Sequence, residues 1–206
     1  MITTRRILID LATQTLTLFE GARVRAHYRV STGLNGAGEF NGSGCTPRGQ
    51  HRVRLRIGAG CPANTVFRAR RPTGEVYGPE LAVAYPDRDW VLTRILWLTG
   101  CEPGRNRGGP RDTLRRFIYI HGCPDSAPLG EPRSHGCVRM RNADLLELFD
   151  LTPVGTPVEI LEGDEGMRDR TRAPAARSDD PAYRAPRQPE ETPRTPDGSG
   201  PADAVI

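Results

Sequence analysis

The chain has 206 residues, a formal net charge of +4 and 36% hydrophobic residues, enough for one domain with its own core but low for a chain packed throughout. All 29 basic residues are arginine, which fits a coding bias and, as the functional alternative, carboxylate recognition by guanidinium forks. The arginines are scattered without aromatic interleaving or a nucleic-acid motif, which argues against nucleic-acid binding, and no run of about 18 apolar residues marks an integral membrane segment.

The opening twenty residues carry two arginines but no continuous apolar run and no small-residue cleavage site. They read as the first strands of a domain and not as a signal peptide. Residues 7–11 and 15–19 alternate apolar and polar, and a third extended run covers 24–30. Segment 31–44 holds Gly33, Gly36, Gly38, Gly42 and Gly44 and reads as a loop. Residues 52–57 have period two, with Val53, Leu55 and Ile57 expected on one face. A strand is expected at 90–98, where Trp90 and Trp97 are read as core packing. Segment 102–112 is rich in Gly, Pro and Arg, and is expected to be a loop that covers a cleft as a lid. Residues 117–120 form a short buried-looking strand. One helix is expected after it, capped by Asn142, with Leu145, Leu146, Leu148 and Phe149 as its apolar surface. A last strand at 158–161 closes the domain.

The expectation is therefore an all-β domain, sandwich- or barrel-like, over residues 1–163, with one short helix after Cys137. Residues 164–206 hold seven prolines, sixteen charges and one aromatic, Tyr183. That composition cannot bury enough apolar surface to offset ordering, so it reads as a disordered tail. His27 and His51 are read as surface or strand residues.

Five cysteines are present, Cys45, Cys61, Cys101, Cys123 and Cys137, with no CxxC spacing. An odd number leaves at least one thiol free in a monomer, the oligomeric state expected here. Two segments carry the chemistry: Ile120-His121-Gly122-Cys123 and Ser134-His135-Gly136-Cys137-Val138-Arg139-Met140. A thiol attacks acyl carbons as thiolate, and a neighbouring histidine is expected to lower its pKa from about 8.5. A glycine beside the cysteine lets the backbone approach a ligand, and N–H groups there can stabilise an oxyanion, an effect often worth about 3 to 4 kcal/mol per donor.

SHGCVRM, with a His-Gly pair 16 residues upstream of the cysteine at a strand end, resembles the catalytic signature of the YkuD-type L,D-transpeptidases. Ser31-Thr32-Gly33, Thr46-Pro47-Arg48-Gly49 and Gly155-Thr156-Pro157-Val158 resemble further motifs of that family, in order along the chain. The resemblance implies Cys137 as nucleophile, His121 as general base and the Gly122 carbonyl as the group that orients the imidazole. It implies that Ser134, His135, Gly136 and Arg139 shape the site or touch substrate. Arg139 stands where many members have asparagine. The implied reaction transfers a peptidoglycan stem peptide from its diaminopimelate–D-Ala bond to an amine, in the periplasm or cell envelope, without metal or organic cofactor. Water as acceptor would make a carboxypeptidase. Two rivals stay open: a zinc site built from the repeated His-x-Cys pairs 121/123 and 135/137, and a wall-binding module that keeps the fold without catalysis.

Overall fold

The computed structural model describes residues 4–163. The expected tail at 164–206 lies outside the described residues. The elements run β1 (Arg5–Asp10), β2 (Thr15–Glu20), β3 (Arg23–Arg29), β4 (Gly49–Ile57), β5 (Thr65–Arg68), β6 (Arg71–Val76), α1 (Pro79–Ala84), β7 (Leu92–Gly100), β8 (Tyr119–Gly122), β9 (Val138–Met140), α2 (Asn142–Leu151) and β10 (Pro157–Leu161).

Strands β3, β2 and β1 form an antiparallel meander, β10 joins β1 in parallel, and β4 and β7 follow antiparallel. β8 then pairs antiparallel with β7, and β9 pairs in parallel with β8. The chain beyond β3 brings the wall back on itself. Ser31 exchanges both backbone hydrogen bonds with Arg139 of β9, at 3.0 and 2.8 Å. The result is a small β-barrel, a closure that leaves few strand edges unpaired. The β5–β6 hairpin branches off β7 through the Val66–Leu92 pair.

Period two selects the interior. Ile7 and Ile9, Leu16 and Leu18, Leu96 and Leu98, Val138 and Met140, and Val158 and Ile160 all point into one buried core. α2 covers the core with Leu145, Leu148 and Phe149. Arg56 stacks on the outer side of Phe149, 4.1 Å from the ring centre.

The barrel agrees with the all-β expectation, but four details differ. A second short helix, α1, precedes Trp90, begun by Pro79 at its first turn and burying no residue. A register shift between Val53 and Leu55 turns Leu55 out, 42% exposed, while Val53 stays sealed. Asn142 is not the cap of α2, since Arg141 holds that place. The Asn142 amide is instead buried, donating to Cys123 O at 2.9 Å and accepting from Thr93 Oγ1 at 2.5 Å. It bolts the end of β8 to β7 and α2. Fourth, His51 is a strand residue as read but is buried within β4 and not at the surface, donating from Nδ1 to Gly49 O at 3.0 Å, with Nε2 3.1 Å from Thr113 Oγ1.

Burial pushes His51 down to about 4 from an ordinary 6.5. Between those values the unfolded chain binds a proton that the native chain does not. Stability therefore falls as pH falls through that window, by about 3 kcal/mol in all. His51→Gln should flatten that part of the curve of unfolding free energy against pH, measured by denaturant titration. An unchanged acid slope in the variant would contradict the assignment.

Candidate active site

β8 and β9 run in parallel with Ile120 beside Val138 and His121 beside Arg139. Alternation then puts Ile120, Val138 and Met140 into the core, and Tyr119, His121, Cys137 and Arg139 together on the other face. The two chemistry-bearing segments, far apart in sequence, thus present the thiol and the imidazole on one face of the wall.

The turn that carries Cys137 is held by the loop motifs read from the sequence. Thr32 O accepts from the N–H groups of Arg133 and Ser134 at 2.9 and 2.8 Å. Thr46 Oγ1 donates to Gly136 O at 2.9 Å and accepts from Gly33 N–H at 2.8 Å. Ser134 is buried; its hydroxyl donates to Cys137 O at 2.5 Å and accepts from Gly136 N–H at 3.1 Å. Ser134 therefore braces the turn. Gly136 has φ +119°, and a Cβ there would lie 2.8 Å from Cys45 O. Gly136→Ala should cost about 1–3 kcal/mol from strain and overlap together. A thermal melt equal to that of the parent would show that the turn relaxes freely.

His121 is 2% exposed, and its Nδ1 lies 2.9 Å from Gly122 O. A carbonyl only accepts, so Nδ1 carries the proton and Nε2 has a free lone pair. Gly122 cannot take a side chain, because a Cβ would strike Asn142 Oδ1 and approach Leu92 O at 2.8 Å. The Cys137 thiol donates to Phe117 O at 3.3 Å and accepts from Tyr119 N–H at 3.4 Å. Phe117 adopts a left-handed backbone, φ +56°, which a bulky residue rarely does. That conformation is part of how its carbonyl reaches the sulfur.

Electrostatically, the thiol runs opposite to the expectation of a histidine-lowered cysteine. Burial pushes Cys137 up to about 12, against a smaller lowering by the Tyr119 N–H bond. Burial also pushes His121 below its ordinary value, against the Gly122 hydrogen bond and the Asp89 charge, which raise it. Both shifts favour a neutral thiol and a neutral imidazole at rest.

Asp89 was not legible as a site residue. It lies just before Trp90, accepts from His135 Nδ1 at 3.0 Å and binds Arg139 Nη2 at 2.7 Å. Burial alone would raise its carboxyl; the His135 hydrogen bond and the Arg139 charge overcome this and hold it below its ordinary value. Arg139 also donates to Arg133 O at 3.2 Å, while the His135 ring stands largely in solvent. Segment 102–112 is stitched down. Asn106 is fully buried and donates to Arg48 O and Gln50 O at 2.9 and 3.1 Å. The Asp89 carboxylate acts on the thiol instead, and the tip of β5–β6 lies over Trp97 and Phe117, beside Tyr119.

Cys123 is sealed and donates to Met140 O at 3.3 Å, with burial pushing its thiol up to about 11. Among the described residues no group of three or more His, Cys, Asp and Glu side chains is arranged to hold a metal ion. The same residues include no helix long and apolar enough to cross a membrane.

The molecule is thus a β-barrel with a half-buried thiol and an oriented, buried imidazole on one face of its wall. It belongs to the L,D-transpeptidase catalytic domain family (YkuD), whose model matches residues 4–160. The putative L,D-transpeptidase YkuD of Bacillus subtilis is 39% identical over 61 residues, which is 27% of this chain and 37% of that protein. The probable L,D-transpeptidase YbiS of Escherichia coli K12 is 43% identical over 49 residues, 24% of this chain and 16% of that protein. The chain thus covers well under two thirds of the length of these relatives. A crystal structure of the L,D-transpeptidase (residues 123–326) of Xylanimonas cellulosilytica aligns at 24% identity and TM-score 0.45, over 77% of this chain and 61% of that one.

Proposed function

We propose that the protein is a cysteine-dependent peptidoglycan L,D-transpeptidase. Cys137 attacks the carbonyl of the diaminopimelate–D-Ala bond as its proton passes to His121 Nε2. The tetrahedral oxyanion is taken up by backbone N–H groups beside the sulfur, and we assign Tyr119 N–H to this role. The Gly136 N–H is already engaged by Ser134 Oγ. The C–N bond then breaks, His121 returns the proton to the departing D-Ala amine, and a thioester remains on Cys137. An acceptor amine attacks the thioester and gives its proton to His121, the C–S bond breaks, and His121 returns the proton to the Cys137 sulfur.

The observation that carries this reading is the Nδ1 hydrogen bond to Gly122 O. It leaves a neutral Nε2 as base on the face that Cys137 shares. A neutral resting pair makes this general-base attack, in contrast to attack by a preformed thiolate. Ser134 and Gly136 set the turn, and His135 and Arg139 frame the cleft with Asp89. The substrate places the activity at the cell envelope.

The test is incubation of the protein with a diaminopimelate disaccharide-tetrapeptide, followed by mass spectrometry. The expected result is loss of D-Ala, a thioester adduct on the protein and peptide dimers. D-Ala loss without dimers would make the protein a carboxypeptidase. Absence of both adduct and product, with thiols shown reduced, would end the reading.

A further inference from the structure

Three guanidinium groups surround the Cys137 face, and their surroundings differ. Arg139 is ion-paired to Asp89 at 2.7 Å. Arg116 is turned inward, donating to Gly38 O at 2.9 Å and to Cys45 O at 2.6 Å. Arg70 has neither kind of partner. Among the described residues it pairs with no carboxylate.

Arg70 lies instead on an aromatic shelf. Its guanidinium is 4.9 Å from the Trp97 ring centre and 4.8 Å from that of Phe117. Its Nη1 lies 3.5 Å from Tyr119 Oη. The shelf is itself packed, with Trp97 meeting Phe117 at 5.9 Å and Tyr119 at 5.6 Å. Phe117 and Tyr119 are also the residues whose backbone holds the Cys137 sulfur, at 3.3 and 3.4 Å. The shelf and the nucleophile are therefore one construction. Stacking fixes the plane of a guanidinium and leaves its N–H edge available for a bidentate anion.

The backbone adds a second observation. Ala69 and Arg70 form the two-residue turn between β5 and β6, with φ +48° and +66°. That turn favours Asn-Gly, and an alanine and an arginine there carry strain. The strained turn is what delivers the guanidinium to the shelf.

We propose that Arg70 is a carboxylate-binding residue of the acyl-donor site, gripping a donor carboxylate near the scissile bond. The inference rests on the transpeptidase reading for its substrate. The two residues joined by the scissile bond each carry a carboxylate with this chemistry, that of the terminal D-Ala and that of the diaminopimelate side chain.

Binding is measured by calorimetry on Cys137→Ala and on Cys137→Ala with Arg70→Gln, using the tetrapeptide and the two forms amidated singly at the D-Ala or the diaminopimelate carboxylate. Turnover by the parent is measured in parallel. Arg70→Gln should weaken tetrapeptide binding about tenfold or more, as loss of a charge-assisted bond does. Amidation of the contacted carboxylate should weaken binding equally in the Cys137→Ala background and have no further effect once Arg70 is Gln. Which amide does so identifies the source. Arg70→Lys should recover only part of the affinity, since it keeps charge but not the planar fork. Turnover by the parent with binding indifferent to Arg70, or losses from amidation and Arg70→Gln that multiply, would overturn the inference and leave the transpeptidase reading intact. No turnover, but binding that depends on both Arg70 and one carboxylate, would end the transpeptidase reading and keep the carboxylate site.

Discussion

Cys137→Ala should abolish the thioester adduct and reduce acyl transfer by at least about 10⁴-fold, the scale seen when a covalent nucleophile is removed. The fold should survive. The change removes one sulfur that makes two long, weak hydrogen bonds, to Phe117 O and Tyr119 N–H. Stability should drop by about 1 kcal/mol for the N–H left without its partner. Intact-mass spectrometry and a thermal melt together separate loss of chemistry from loss of structure. An adduct that persists in Cys137→Ala would move the nucleophile to Cys45, Cys61 or Cys101, the other thiols with some exposure. The parent protein tests the electrostatics. A thiol pushed up to about 12 is almost wholly protonated at neutral pH. Alkylation of Cys137 by iodoacetamide should be far slower at pH 7 than that of an ordinary cysteine, and should rise about tenfold per pH unit as the thiolate fraction grows.

The strands were legible because alternation survives wherever one face meets the core. Ile7 and Ile9, Leu16 and Leu18, and Val158 and Ile160 show it plainly. Leu55 broke the pattern because a register shift is set by the pairing with β7 and leaves no composition signal. His121 and Cys137 stood out in the sequence as parts of a family signature, and their shared face followed from the strand register. The charge state was not readable, because burial decides it and burial is a property of the packed barrel. Asp89 and Arg70 escaped for a related reason. Neither lies in a motif, and each reaches the site on a segment whose placement depends on β7. Segment 102–112 misled in the other direction. Its glycines and arginines look mobile, while the single buried amide of Asn106 ties it to the chain at Arg48 and Gln50.

His121→Gln should lower acyl transfer by about 10²- to 10⁴-fold, the usual contribution of a positioned base. The glutamine amide can still meet the Gly122 carbonyl, so the wall should remain folded, but it offers no basic nitrogen. The pH profile carries more information than the size of the loss. In the proposed mechanism the parent's activity needs neutral His121, whose pKa lies below the ordinary 6.5, principally because of burial. As pH falls through that lowered value the imidazole protonates and the base is lost. The acid limb of kcat/KM should therefore lie below pH 6.5, with a plateau above it. In the glutamine variant that limb should vanish, and the residual rate should climb with pH as thiolate forms below about 12. The charges that bear on His121 add a signed control. Asp89 raises its pKa and Arg139 lowers it. Asp89→Asn should thus shift the parent's acid limb to still lower pH, the direction set by removing an anion from beside the imidazolium. A limb that stays in place in His121→Gln would assign it to another group, and a limb that moves upward in Asp89→Asn would show that the Asp89 charge does not act on the base.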